Sequence, residues 1–253
     1  MKKIFWAIIS LAVAVSLTAC SSSSAQDQAS AASTTTANSS TENNTSISEN
    51  NPEVSDGSNT ESSANNPISG SNILVAYFSR VGNTVWEDGV DAVTSASLNV
   101  VNGEYEGNAQ ILAQMAQEVT GGDLFLIQTE NTYPSDYRKT TDVAADEQND
   151  NARPALSSHV ENMEQYDTIV LIYPNWWGTL PQALFTFLEE YDFSGKTILP
   201  LCTHAGSRMG SSERDIASLC PDANLLEGLA VSGSSAATAQ QDVEKWITDS
   251  GII

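Results

Sequence analysis

Five short apolar runs, at residues 71–79 (SNILVAYFS), 123–128 (DLFLIQ), 167–173 (DTIVLIY), 196–202 (KTILPLC) and 225–231 (LLEGLAV), are the strongest constraint on the fold of this chain. Their apolar residues are nearly continuous rather than alternating, the pattern of strands covered on both faces. Helical patterns lie between them. Ile111, Leu112, Met115, Ala116 and Val119 form one apolar face, and Gly121-Gly122 supplies a stop. Pro181 opens a helix over 181–191, Ser211-Ser212 caps one over 213–219, and residues 236–251 form the last; residues 135–149 carry a less regular helical pattern. Strand and helix alternating five times predict an α/β fold, a doubly wound five-stranded parallel sheet of order 2-1-3-4-5. In such a sheet ligands bind at the carboxyl ends of the strands.

The segments before the first run are different in kind. Residues 1–19 read as a signal peptide, with Lys2 and Lys3 ahead of an apolar stretch over 4–17 that is too short to span a bilayer. Leu17-Thr18-Ala19-Cys20 resembles the bacterial lipobox, which makes Cys20 the lipidation site and predicts an extracytoplasmic protein anchored to the cell membrane. Residues 20–70 are Ser, Thr, Asn, Ala and Gln with scattered acids, a composition that cannot bury enough apolar surface to offset chain entropy. The expectation is a disordered tether with a reach of roughly 40 Å. Residues 71–253 then hold one domain, about 180 residues being ample for one core.

Of the 32 acids and 10 Lys and Arg, 26 and 8 fall in that domain, giving it a net charge of −18. That charge disfavours nucleic acid and direct adsorption on anionic lipid, and a basic redox protein would be steered in. An acidic surface serving solubility alone is the other reading. Cys202 and Cys220 are too few for a disulfide framework or a zinc site, and their apolar surroundings predict buried structural thiols. No Gly-x-Ser-x-Gly elbow is present for a serine hydrolase. A phospho-receiver would need acids at the ends of strands one and three, where Ser79 and Pro174 stand.

Three loops follow strands one, three and four: YFSRVGNT (77–84), YPNWWGTLPQ (173–182) and CTHAGSRMGSS (202–212). In order and placement these elements resemble the flavodoxin-like family, in the subgroup with YFSRxGNT, WWGT and CTHxGS elements. The resemblance covers nearly all of 71–253 and implies FMN at these loops. It places Ser79, Arg80, Asn83, Thr84, Pro174, Asn175, Trp176, Trp177, Gly178, Thr203, His204, Gly206 and Ser207 around the cofactor. By that resemblance Trp177 stacks on the flavin ring and Gly178 offers a flipping carbonyl to the reduced flavin. Thr179-Leu180 stand where acids often follow, which argues against a very low potential. Independently, adjacent tryptophans in a turn of Pro, Asn and Gly offer a flat surface to an aromatic ligand, unless both simply pack beneath the loop. His204 caps the ring, contacts its edge or is a hydrogen-bonded loop histidine. His159 has no assigned role.

The first loop does not run into a helix. Residues 80–106 read as an insertion whose VVNGEY segment is a hairpin turning on Asn102-Gly103. The helix that packs on strand one begins at Asn108, so Gly107, Asn108 and Ala109 are the candidate phosphate grip, Ala109 standing where a hydroxyl is usual in the family. Gly82-Asn83-Thr84 either adds contacts or only turns the chain. Within the insertion, DAVTSAS (91–97) resembles the signature on which bacterial flavin transferases attach FMN through a phosphoester, which would make Ser97 the acceptor.

Two functions fit. One is a membrane-tethered FMN protein for electron transfer or flavin-dependent reduction, the cofactor doing the redox chemistry with a partner protein or small molecule. The other is a non-redox ligand-binding lipoprotein on the same fold. A homodimer sharing the flavin site is left open, as are the donor and the acceptor.

Overall fold

The computed structural model describes residues 72–94 and 96–253. The expected signal peptide, Cys20 and the expected tether lie outside the described residues. Strand β1 (Ile73–Tyr77) is buried at all five positions. It is flanked by β4 (Asp123–Leu126) and β5 (Thr168–Pro174), and β5 pairs with β6 (Thr197–His204), all in parallel. The last position in the sheet is shared by β7 (Asn224–Leu225) and β8 (Leu229–Ser232), which both pair with β6, giving a path β4-β1-β5-β6-β7.

The single fifth strand expected at 225–231 is thus broken in two. Ile198 faces Leu225 while Leu201 faces Leu229, so the edge carries one residue more than its partner. Pro200, in the middle of that stretch, has no N–H to give. At the break the backbone of Gly228 passes so close to Pro200 that an added Cβ would lie 3.0 Å from its carbonyl, and the Gly228 N–H donates instead to Glu213 Oε1 at 2.9 Å.

Helices α1 (Asn108–Thr120) and α5 (Gln240–Ser250) cover one face of the sheet, burying Leu112, Ala116, Val243 and Ile247 against Val75, Val170 and Leu199. Helices α3 (Gln182–Glu190) and α4 (Ser212–Leu219) cover the other, with Leu184, Phe187 and Ile216 packed on Leu74, Ile169 and Leu171. Helix α2 (Tyr137–Asn149) lies beside α3 and starts at an Asp136 cap that accepts from the Lys139 N–H. Complete burial of each large aliphatic side chain in these layers contributes about 1.5–3 kcal/mol. Helix α1 ends where expected, at Gly121 in the left-handed conformation.

The insertion contains the expected hairpin: β2 (Leu98–Val101) and β3 (Glu104–Gly107) pair antiparallel around Asn102 and Gly103, at φ 53° and 88°. Both central residues have positive φ, as a turn matched to strand twist requires. One cap differs from expectation. The Ser211 hydroxyl does not cap α4 but donates to Asp215 at 2.7 Å and to the Gly178 carbonyl at 3.3 Å, binding the loop after β6 to the loop after β5.

Candidate functional site

A cavity of about 460 Å³ opens at the carboxyl ends of β5 and β6. Its walls come from four segments: Val93, Thr94, Ala96 and Ser97 of the insertion, Tyr137, Thr140, Thr141 and Ala144 of α2, Asn175 to Gly178 after β5, and Ala205 and Ser207 after β6, with Arg80 completing the lining. The volume is in the range of small-molecule and cofactor sites.

The loop after β5 is built to expose one tryptophan and pack the other, partly buried, against the core at the cavity wall. Trp176 and Thr179 exchange backbone hydrogen bonds of 2.9 and 3.1 Å around Trp177 (φ 52°) and Gly178 (φ 88°). A bulky residue at positive φ is strained, a condition that persists where surrounding contacts over-determine it. Here the Trp177 Nε1–H donates to the Thr141 carbonyl of α2 at 2.9 Å, and the residue stays 59% exposed beside the cavity. Trp176 turns inward, edge-on to Phe78 at 5.3 Å and to Tyr133 at 5.1 Å between centroids. Both tryptophans line the cavity, Trp176 from its packed position and Trp177 from an exposed one. Asn175 braces the turn, its Oδ1 accepting from the Gly178 N–H and its Nδ2 donating to the Arg208 carbonyl, both at 2.9 Å. The Gly178 carbonyl accepts from the Ser211 N–H at 2.8 Å, so in this structure it faces the loop after β6 rather than the cavity.

Of the residues expected at a cofactor, Arg80, Ser97, Asn175, Trp176, Trp177, Gly178 and Ser207 meet on this wall. The others do not. Asn83 is 1% exposed and has no amide atom to spare: Nδ2 donates to the Ser79 and Ile127 carbonyls at 2.9 Å, and Oδ1 accepts from the Thr129 N–H at 2.8 Å and its hydroxyl at 3.1 Å. It fastens the loop after β1 to the segment after β4. Thr84 bridges to Tyr133 beside it. In this structure Asn83 holds the turn of Gly82-Asn83-Thr84, off the cavity wall.

The expected phosphate grip lies away from this wall in this structure. Gly107, Asn108 and Ala109 are buried and absent from the cavity wall. The insertion folds over the start of α1: the Ser97 carbonyl accepts from the Asn108 N–H at 3.0 Å and the Ala96 carbonyl from Asn108 Nδ2 at 3.1 Å. Ser79 Oγ lies only 2.0 Å from where a Cβ on Gly107 would stand, and it accepts from the Val81 N–H at 3.1 Å. Ala109 packs in the core with Leu112. Pro174, Thr203, His204 and Gly206 stand at the strand ends without lining the cavity. His204 is the hydrogen-bonded loop histidine, its Nδ1 accepting from the Gly206 N–H at 2.9 Å. Burial, followed by the positive charge of Arg208, lowers its pKa. His159, left without a role, pairs with Glu190 at 2.6 Å.

Sequence reasoning missed the α2 contribution and most of the insertion wall. The signal available was Thr140-Thr141 on a polar helix facing strand ends, but nothing local distinguishes it from a solvated face. A flat heteroaromatic with an anionic arm fits the donor set, since the wall combines an exposed indole, several hydroxyls and one guanidinium. Among the described lining residues there is no carboxylate.

Comparisons with known proteins bear on the family and the fold. Residues 97–250 match the model of a family described as Flavodoxin. Among solved structures, the chain is similar to a protein described as a flavoprotein from Bacteroides eggerthii DSM 20697, with 28% identity, a TM-score of 0.55, and 72% of this chain and 98% of that one covered. A second such protein, from Bacteroides uniformis ATCC 8492, shows 27% identity, a TM-score of 0.54, and coverage of 71% and 99%. No curated protein matches. With the family model covering more than half of the chain, the parallel sheet wound on both faces, and a cavity at its strand ends, this protein belongs to the flavodoxin family.

Proposed function

We propose that the chain binds FMN in this cavity and serves electron transfer or flavin-dependent reduction, held at the outer face of the cell membrane by a lipid on Cys20. The observation that carries the reading is the strained, exposed Trp177 at the mouth of a cavity of cofactor size, among whose described lining residues there is no carboxylate. FMN is the cofactor; it supplies reversible one- or two-electron chemistry, while the protein sets access and potential. Trp177 would lie against the ring, with Asn175 and Gly178 holding the turn that presents it and Ser207 on the same wall. The net charge of −18 favours a basic redox partner over an acidic one.

The anchor rests on the sequence before residue 21; no helix among the described residues is long and apolar enough to cross a membrane. An absorbance spectrum of the purified chain mixed with FMN tests the cofactor. A bound, shifted flavin band supports the reading, and no binding favours a non-redox ligand in the same cavity, a reading that the closed N-terminus of α1 supports.

Ser97 carries a stronger form of the proposal. Its Oγ would attack the FMN-side phosphorus of FAD, the pyrophosphate bond would break with AMP leaving, and the hydroxyl proton would be released, with no change of oxidation state. Its place on the cavity wall supports this. Yellow colour kept in the acid-precipitated pellet of protein made in its native host, with an FMN adduct on Ser97 by mass spectrometry, is the expected result; an unmodified Ser97 refutes it.

A further inference from the structure

Asp215, in the first turn of α4, does not line the cavity, yet one of its oxygens gathers the two loops that do. Oδ2 accepts from the Thr179 hydroxyl at 2.5 Å and from the Ser211 hydroxyl at 2.7 Å. Thr179 closes the turn that carries Trp177, through its two backbone bonds with Trp176. Ser211 ends the loop that brings Ala205 and Ser207 to the wall, and its N–H donates to the Gly178 carbonyl at 2.8 Å. Gly210 permits that approach, since a Cβ there would lie 2.1 Å from the same carbonyl oxygen. A single carboxylate thus ties both loops to a helix of the core.

Two simpler roles fall short. Asp215 is an acid near a helix N-terminus, where negative charge alone is favourable. A carboxylate pointing into solvent would serve that purpose, but this side chain is 22% exposed and is turned to Thr179, which is buried. Its other oxygen faces Arg214 at 3.5 Å, a cation 78% exposed, and such a surface pair adds little. Nor does the group cap the helix. Ser211 holds the cap position of α4, where a serine oxygen ordinarily accepts from the helix's own N–H groups. Its hydroxyl is turned instead to Asp215 and to the Gly178 carbonyl, so a local stabiliser of α4 is given over to the join between the loops. What the join holds is strained: Trp177 stands at φ 52°, a conformation kept only where neighbours impose it. The Thr141 carbonyl of α2 holds the indole, and Asp215 holds the turn from the side of α4.

We propose that Asp215 is a positioning residue for flavin binding, acting through Thr179 and Ser211 to set how Trp177 meets the ring and how far that turn stands from Ala205 and Ser207. The inference rests on the flavin reading above and adds to it a residue that lies off the cavity wall. Its carboxylate works as one acceptor shared by two hydroxyls. The acceptor, and not the charge, is therefore the part that binding needs.

The test compares the purified wild-type chain with Asp215→Asn, Asp215→Ala and Thr179→Val, by FMN titration, the absorption band of the bound flavin and thermal melting. Asparagine keeps an acceptor oxygen and drops the charge, alanine removes the acceptor, and valine removes the Thr179 donor at nearly the same shape. FMN affinity is expected to fall about 10-fold in Asp215→Ala and Thr179→Val, the order of one hydrogen bond to a charged group. The bound-flavin band should move toward that of free FMN in both. Asp215→Asn is expected to keep affinity and band close to those of the wild type. Unchanged affinity and band in Asp215→Ala, with only a lower melting temperature, would make Asp215 a brace of the fold and overturn the proposal. Binding as weak in Asp215→Asn as in Asp215→Ala overturns it too, by showing that the charge acts. Should Asp215→Ala prove unfolded by circular dichroism, Thr179→Val decides, and wild-type affinity there overturns the proposal. These outcomes leave the flavin reading intact. If the wild type itself binds no FMN, that reading falls and the positioning role falls with it.

Discussion

The indole Nε1–H of Trp176 donates to the hydroxyl of Ser97 at 2.9 Å, joining the loop after β5 to the insertion across 79 positions of sequence. This bond closes one wall of the cavity: Ser97 is 3% exposed, and its backbone carbonyl at the same time caps the first N–H of α1. One residue therefore ties together the insertion, the tryptophan turn and the helix that packs on β1.

Ser97→Ala leaves the Trp176 N–H without its acceptor in a largely buried setting. A stability loss of about 1–3 kcal/mol is expected, the cost of an unsatisfied buried donor. Urea unfolding followed by tryptophan fluorescence measures it, and proteolysis within 85–106 should quicken as the insertion loosens.

Asn83→Ala removes four hydrogen bonds between the loop after β1 and the segment after β4. Two carbonyls and the Thr129 N–H lose their partner, while the Thr129 hydroxyl keeps the Asn131 carbonyl, so a loss of about 3 kcal/mol is expected. Because Asn83 does not line the cavity, FMN affinity measured at a temperature where the variant is folded should match the wild type. A selective loss of FMN affinity with unchanged stability would show that Asn83 contacts the cofactor.

Gly210→Ala tests the contact between the two loops at the cavity. Gly210 has φ 58°, and a Cβ there would lie 2.1 Å from the Gly178 carbonyl oxygen and 2.8 Å from its carbon. Backbone cannot yield as a flexible side chain does, so the tryptophan turn must shift. Destabilisation of about 2 kcal/mol or more is expected, with weakened flavin binding, read by a thermal melt and an FMN titration.

His204 gives the site region a pH dependence of known sign. Its folded pKa is lowered, by burial first and by Arg208 second, so the native state holds it neutral with Nδ1 accepting from Gly206. The unfolded state binds the proton more readily. The stabilisation is therefore complete above the ordinary histidine value near 6.5 and is lost as pH falls through the folded pKa. Melting temperature should drop more steeply below pH 6.5 in the wild type than in His204→Gln.

Cys202 and Cys220 are free and buried, with burial raising their thiols to about 12 and about 11. The thiolate is the reactive form, so neither should react with iodoacetamide at pH 8 until the protein is unfolded. Mass spectrometry before and after denaturation checks this.

The sequence by itself determined the layers of this protein. Continuous apolar runs must be covered on both faces, and helices with one apolar stripe between them can cover a parallel sheet only by winding both ways. Local chemistry was equally legible where the cause is local. Asn102-Gly103 turns the hairpin because both central φ values are positive, and Gly121 ends α1 for the same reason. Which polar residues serve a ligand was decided only by the tertiary structure. Asn83 looks like a phosphate contact until Ile127 and Thr129, 44 and 46 positions away, take its amide. Arg80 looks ordinary until burial without a carboxylate sets it apart. Trp176 and Trp177 are indistinguishable as neighbours, yet a turn with positive φ packs one against Phe78 on the inner cavity wall and leaves the other exposed. A polar side chain is a brace or a ligand according to what fills its hydrogen bonds. Those partners come from distant segments that only the folded chain brings together.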